Sequence, residues 1–140
     1  MLFFYRILIN LVLLLSPIII LFRIIKKKEH PTRFLEKLGI SSKNRMQGKV
    51  IWFHGSSVGE VLSIMPLIER LEKNSKIKQI VITSSTLSSS KVLEKYKLNK
   101  TVHQFFPIDA NLIIKKFLNY WKPTAVFFVE SEIWPNTIQN

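Results

Sequence analysis

One stretch constrains the fold more than any other: Val50-Ile51-Trp52-Phe53-His54-Gly55-Ser56-Ser57-Val58-Gly59-Glu60. Val50 to Phe53 is a short β-branched and aromatic run, the composition of a buried strand. Gly55 to Gly59 is small and polar, and its two glycines permit a tight turn or a close approach of backbone to ligand. From Glu60 onward Val61, Ile64, Met65, Ile68 and Leu71 recur at helical spacing, with polar residues between them. Strand, small-residue turn and helix in this order make one arm of an open α/β sheet. The turn then lies at the carboxyl end of its strand, where such sheets bind ligands.

The alternation continues along the chain. Residues 79–83 (QIVIT) read as a second strand, followed by a hydroxyl-rich turn from Ser84 to Ser90 and a short helix over 89–96. Residues 102–106 (VHQFF) read as a third strand. Asp109 is then placed to cap a helix over 110–121, whose Leu112, Ile113, Phe117 and Leu118 form an apolar stripe. Residues 124–129 (TAVFFV) are a fourth strand, nearly continuous in apolar residues, as when both faces of a sheet are covered. Strands alternating with helices predict βαβ units and a parallel sheet.

Before that sheet comes a segment that bears on location. Residues 7–22 carry no charge, and 2–25 are apolar apart from Arg6, Asn10, Ser16 and Arg23. This is close to the roughly 20 residues that cross a bilayer, and Pro17 is tolerable in a membrane helix, where it is expected to introduce a kink. No small-x-small cleavage pattern follows, so the segment is expected to remain as an anchor over residues 1–25. Arg23, Lys26, Lys27 and Lys28 follow the run and only Arg6 lies within its start, which places the rest of the chain on the cytoplasmic side. A shallow interfacial helix is the alternative, because Arg6 and Asn10 weaken the first two turns. Residues 26–48 form a basic connector in which Lys26, Lys27, Lys28 and Arg33 are candidates for headgroup contact, each worth about 1 kcal/mol near an anionic surface. Within it, Arg33 to Gly39 reads as a short helix closed by Gly39, with Phe34, Leu35 and Leu38 on its apolar side. Residues 49–140 hold the sheet.

The chain's 21 Lys and Arg against nine Asp and Glu give a formal charge of +12, so anionic partners are expected. Charge alone does not choose among nucleic acid, anionic lipid and phosphorylated sugar, and no recognisable nucleic-acid module is present. With no cysteine, disulfides, thiolate metal sites and a Cys nucleophile are excluded. His30, His54 and His103 lack metal-ligand spacing, and neither a dinucleotide glycine fingerprint nor a P-loop occurs.

What the strands deliver to one sheet edge is polar: His54, Ser56, Ser57 and Glu60 from the first, Thr83 to Thr86 from the second, Asp109 from the third, and Glu130, Ser131 and Glu132 from the fourth. Glu60 has two readings. Ser57-Val58-Gly59-Glu60 fits a capping box, a purely structural role. A carboxylate at a helix N-terminus is also favoured in its ionised form and can act as a general base. Spacing does not separate the two. Glu130 follows five apolar residues and emerges where a carboxylate is costly unless paired; with Glu132 it suits recognition of hydroxyl or ammonium groups.

These residues together resemble a family. S-V-G-E after a strand (Ser57 to Glu60), P-L-I in its helix (Pro66 to Ile68), F-P-x-D (Phe106 to Asp109), E-S-E-I-W-P-N (Glu130 to Asn136) and R-F-x-E-K-L-G (Arg33 to Gly39) are similar to 3-deoxy-D-manno-octulosonic acid (Kdo) transferases. The resemblance implies the first Rossmann-like, acceptor-binding half of a GT-B glycosyltransferase. Such an enzyme moves Kdo from CMP-Kdo to the lipid A precursor at the cytoplasmic face of the inner membrane, with inversion and without metal or other cofactor. It places the catalytic base on Glu60 and an essential acidic residue, assigned to acceptor positioning, on Glu130; Ser56, Ser57, Gly59 and Glu132 at the same sheet edge are the further candidates for acceptor contact. Departures are Ser131 and Ile133 for Thr and Leu of the family's E-T-E-L-W-P motif, and Ser89 for the Gly of its T-x-T-G turn. It also implies that Asn140 falls inside the first domain, so that the CMP-Kdo site lies elsewhere, the 140 residues alone are inactive and their sheet has an exposed edge. Two rivals remain: a membrane-anchored module binding anionic lipid or nucleic acid, and a different GT-B glycosyltransferase with another lipid acceptor.

Overall fold

A computed structural model describes residues 1–129 and 135–140. Helix α1 (Leu2–Ile25) is followed by a 3-10 helix (Phe34–Leu38), and then strands and helices alternate: β1 (Val50–His54), α2 (Val58–Glu72), β2 (Gln79–Ser84), α3 (Leu87–Leu93), β3 (Thr101–Phe105), α4 (Asn111–Trp121), β4 (Ala125–Phe128) and α5 (Pro135–Gln139). The strands form one parallel sheet in the order β3-β2-β1-β4. The α/β class expected from the alternation is what the chain adopts. From β1 the chain moves outward to β2 and β3, then returns to the other side of β1 as β4. The order therefore reverses between β1 and β4, and the crevice at their carboxyl ends is the ligand position of such sheets.

Side-chain alternation sorts the strands onto two cores. Phe53, Ile80 and Ile82 pack with Val61, Ile64, Met65 and Ile68 of α2 and Leu93 of α3. Val50, Trp52 and Val81 pack on the opposite face with Phe106 and with Phe117 and Trp121 of α4. Both faces of β1 and β2 are thus covered, which is why their sequences read as unbroken apolar runs. Strand β4 departs from that expectation: Val126 and Phe127 are 39% and 50% exposed. Among the described residues its only neighbouring strand is β1. Phe127 stacks on Phe53 at 5.1 Å and Phe128 meets Trp52 edge-on at 5.7 Å, so its aromatic content extends the β1 contacts rather than filling a closed core.

Two caps differ from the sequence expectation. Helix α3 begins two residues early, at Leu87, because Thr86 caps it by accepting the Ser89 N–H. Asp109 does not cap α4, whose N-cap is Ala110 without a side-chain bond. Its buried carboxylate instead accepts from the Tyr5 hydroxyl at 2.6 Å, the Asn136 and Thr137 N–H groups at 3.1 and 2.8 Å, and the Thr137 hydroxyl at 2.6 Å. Asn136 returns a bond from Nδ2 to the Asp109 carbonyl. The F-P-x-D segment and Asn136, far apart in sequence, are stitched together through this one side chain.

The connector is part of the fold. Gly39 closes the 3-10 helix at φ 75°, and a Cβ there would stand 2.8 Å from the Ile113 carbonyl, so glycine is required both by conformation and by the approach of α4. Leu35, expected on the buried side, is exposed, and Glu36 is fully buried in its place.

Candidate functional site

The turn after β1 folds back over the first turn of α2. Glu60 Oε2 accepts the N–H groups of Ser56 and Ser57 at 2.6 and 3.2 Å, while the Glu60 N–H donates to Ser57 Oγ at 3.3 Å. The reciprocal capping box is therefore formed. Only one carboxylate oxygen is used: Oε1 has no hydrogen-bond partner among the described residues, and Glu60 is only partly buried. Gly55 lets the turn close, since a Cβ there would lie 3.2 Å from Glu60 Cβ. Gly59 is different. A Cβ on it would meet no described residue within 4 Å, so no contact among the described residues calls for glycine there, and glycine in a helix is less favourable than alanine by up to about 1 kcal/mol. Ser56, Ser57, Gly59 and Glu60 are thus brought together at the sheet's reversal point. Glu130 and Glu132, the other expected acceptor contacts, lie outside the described residues.

Beneath this turn sits His54, fully buried at the end of β1. Its Nδ1 is 2.8 Å from Thr83 Oγ1 and 3.2 Å from the Thr83 carbonyl, which can only accept, so Nδ1 carries a proton. Thr83 Oγ1 also accepts from Trp52 Nε1 at 2.8 Å, and the His54 ring lies 4.0 Å from that of Phe106. His54 Nε2 is 3.5 Å from Ser56 Oγ. The sequence put His54 at this edge but not its part in holding the turn, because Thr83 becomes its neighbour only through β1–β2 register.

Of the basic residues expected at a headgroup surface, Lys26, Lys27 and Lys28 are exposed. Arg33 faces inward. It forms a two-pronged pair with Glu36 at 3.0 Å, donates to the His103 carbonyl at 2.7 Å and reaches His103 Nδ1 at 3.0 Å. Because arginine can only donate, Nδ1 of His103 is the acceptor and Nε2 carries the proton, donated to Ser84 Oγ at 2.6 Å. Ser84 accepts in turn from the Ser89 hydroxyl.

Burial, with the nearby positive charges of Arg33 and Lys43, holds the His103 pKa down to about 3. The unfolded chain, with a histidine pKa near 6.5, takes up this proton first. Stability is therefore complete above pH ~6.5 and falls by up to about 1.4 kcal/mol per unit as pH drops toward 3. Urea titrations across that range should show this slope, and His103→Gln should flatten it; an unchanged slope would contradict the assignment. Glu72 adds to the acid sensitivity. Burial raises its pKa, but bonds from the Thr101 hydroxyl and the Asn99 and Lys100 N–H groups prevail and leave it below the ordinary carboxylate value.

Residues 32–140 match the family model described as 3-deoxy-D-manno-octulosonic-acid transferase (kdotransferase). The chain is 36% identical over 139 residues to a probable mitochondrial 3-deoxy-D-manno-octulosonic acid transferase of Arabidopsis thaliana, covering 97% of this chain and 31% of that protein. It is 38% identical over 128 residues to the 3-deoxy-D-manno-octulosonic acid transferase of Rickettsia bellii, covering 89% and 31%. Against the Haemophilus influenzae enzyme of the same name the identity is 30% over 142 residues, covering 97% and 32%. The chain spans about a third of the length of these relatives.

Proposed function

The chain belongs to the Kdo transferase family, and on that premise we propose that it is the acceptor-binding part of a membrane-attached glycosyltransferase of lipopolysaccharide biosynthesis. The donor is CMP-Kdo, held by chain beyond these residues, and the acceptor is the lipid A precursor. Glu60 Oε1 takes the proton of the attacking sugar hydroxyl. As it does so, the hydroxyl oxygen bonds to the anomeric carbon of Kdo, the bond from that carbon to the CMP phosphate breaks, and CMP leaves with the electron pair. Attack from the face opposite the leaving group inverts the anomeric centre, and no metal takes part.

The observation that carries this reading is the divided carboxylate: Oε2 of Glu60 serves the helix and Oε1 has no bond among the described residues. It stands at the sheet's reversal point, beside a glycine whose Cβ position meets no described residue within 4 Å. Ser56, Ser57 and Gly59 line the acceptor's approach. The apolar α1 and the exposed Lys26, Lys27 and Lys28 attach the protein to the cytoplasmic face of the inner membrane, where anionic headgroups meet the basic collar.

The test is transfer itself, assayed with full-length enzyme, CMP-Kdo and lipid A precursor by mass of the product. The wild type should transfer Kdo. Gly59→Ala should leave the fold at least as stable while raising the acceptor KM, because the added methyl occupies space the acceptor uses. A folded, membrane-bound wild type that moves no Kdo onto this acceptor would overturn the proposal, and an unchanged KM in Gly59→Ala would remove that residue from the site.

A further inference from the structure

Helix α1 is held to the body at both of its ends. Near its start, the Tyr5 hydroxyl donates to Asp109 at 2.6 Å, and Arg6 reaches Asn136 Oδ1 and Gln139 Oε1 at 3.1 Å each. Near its end, Arg23 Nε pairs with Glu29 Oε2 at 3.1 Å, and Lys37 Nζ joins the same oxygen at 2.7 Å. A Schellman turn makes the second contact possible. Lys27 takes a positive φ of 55°, Lys28 N–H donates to the Arg23 carbonyl and Lys27 N–H to that of Ile24, and the chain doubles back on the helix.

Between these ends one stripe faces the body: Ile9, Leu13, Ser16, Ile20 and Ile24 are buried or half-buried at steps of three and four. The remaining arc is open and apolar, with Phe4 and Leu14 each 75% and Ile18 69% exposed. Helix α1 also lies along the carboxyl edge of the sheet. A cleft of about 320 Å³ beneath it is lined by Val12, Ile19 and Ile20 on one side and by Ser85 and Ile108, from the turns after β2 and β3, on the other. The Ser85 N–H is bonded to the Ser56 carbonyl in the candidate acceptor turn.

Tyr5 and Arg23 are 18 positions apart, which at 1.5 Å per residue is about 27 Å, close to the thickness of a bilayer's hydrocarbon. A helix crossing the membrane upright would carry Tyr5 and Arg6 to the far side, away from Asp109, Asn136 and Gln139, or would draw those polar partners and the charged Glu29 and Lys37 into hydrocarbon. We infer that α1 lies in the plane of one leaflet, with its open apolar arc in the lipid, its Tyr5-to-Ile24 stripe on the body, and both of its ends on the same side of the membrane. The occupant of the arc is an anionic leaflet. Lys26, Lys27 and Lys28, all exposed, sit at the helix end where its headgroups would lie. In this orientation the sheet edge bearing Ser56 and Glu60 is next to the lipid surface. The inference rests on the membrane attachment proposed above and replaces a spanning anchor by an in-plane one.

Sidedness tests it. These residues contain no cysteine, so in a full-length protein freed of any other, one cysteine can be placed in a short Gly-Ser segment ahead of Met1. A second protein carries Lys73→Cys, exposed on the body. Inverted bacterial membrane vesicles, with the body outward, are treated with a membrane-impermeant maleimide before and after permeabilisation. The expected result is that both cysteines react fully before permeabilisation. If the N-terminal cysteine reacts only afterwards while Lys73→Cys reacts at once, the helix spans the bilayer and the inference is overturned, with membrane attachment intact. If both proteins stay in the soluble fraction, the attachment itself fails, and the in-plane helix with it.

Discussion

Glu60→Gln in the full-length enzyme should lower Kdo transfer by about 10²- to 10⁴-fold, the usual contribution of a positioned acid–base group, and cost little stability. The two parts of that result come from the two oxygens. Oε2 accepts from the Ser56 and Ser57 N–H groups, and a glutamine carbonyl can accept the same bonds, as it does in capping boxes generally. In the proposed reaction Oε1 is the atom offered to the acceptor hydroxyl, and an amide there cannot take a proton. Ser57→Ala is the complementary variant. It removes the hydroxyl that accepts the Glu60 N–H, costs about 0.5–2 kcal/mol of stability, and leaves the base in place, so transfer should change by only a few-fold. Rates, pH–rate profiles and urea midpoints of the two variants separate the roles. Were Glu60 only a cap, Glu60→Gln would be nearly silent in all three measurements.

How far such a site can be read from sequence depends on how local its causes are. The strands were legible because burial on both sheet faces leaves a mark on consecutive residues: 50–53 and 79–83 were recognisable, and each runs one residue further in the structure. The capping box was legible because both partners lie within four residues. Asp109 was misread by the same local logic. An aspartate just before a helix looks like its cap, yet its partners are Tyr5, Asn136 and Thr137, which no neighbouring residue announces. Strand β4 erred in the other direction. Its apolar run implied cover on both faces, but position at the sheet margin is a property of strand order, which composition does not encode. His54 and Thr83 are 29 positions apart, and only parallel register makes them a pair. The apolar helix was plain from hydropathy, whereas its orientation depends on side chains that look incidental in the sequence, Tyr5 and Arg6 above all.

Glu36→Ala should destabilise the protein by about 3–5 kcal/mol, the cost of leaving one partner of a buried ion pair uncompensated. That is a large part of the roughly 5–15 kcal/mol by which domains are stable. In sequence, Arg33 and Glu36 look like a solvated i,i+3 pair in a basic linker, worth under about 1 kcal/mol. The structure makes the pair something else. Glu36 is fully buried, accepts from Arg33 Nε and Nη2 at 3.0 Å each and from the Phe105 N–H at 2.8 Å, and receives the Ser42 hydroxyl. Among the described residues strand β3 is a sheet margin, so the Phe105 N–H is an edge donor with no described strand beside it, and the carboxylate takes the place such a strand would fill. Alanine leaves this donor unbonded and the Arg33 guanidinium, 18% exposed, without its anion. Arg33→Ala combined with Glu36→Ala should therefore cost less than the two single changes added together, since no lone charge remains. Urea midpoints at constant m-value give the comparison, and a loss below about 1 kcal/mol for Glu36→Ala would return the pair to the surface class. The effect should reach helix α1 as well. Lys37, adjacent to Glu36, holds Glu29 through its ammonium and the Ile108 N–H through its carbonyl, and Glu29 holds Arg23 at the end of α1. Loosening Glu36 thus frees the segment that fixes α1 against the sheet edge carrying the proposed acceptor turn, so the same variant should raise the acceptor KM even at temperatures where it remains folded.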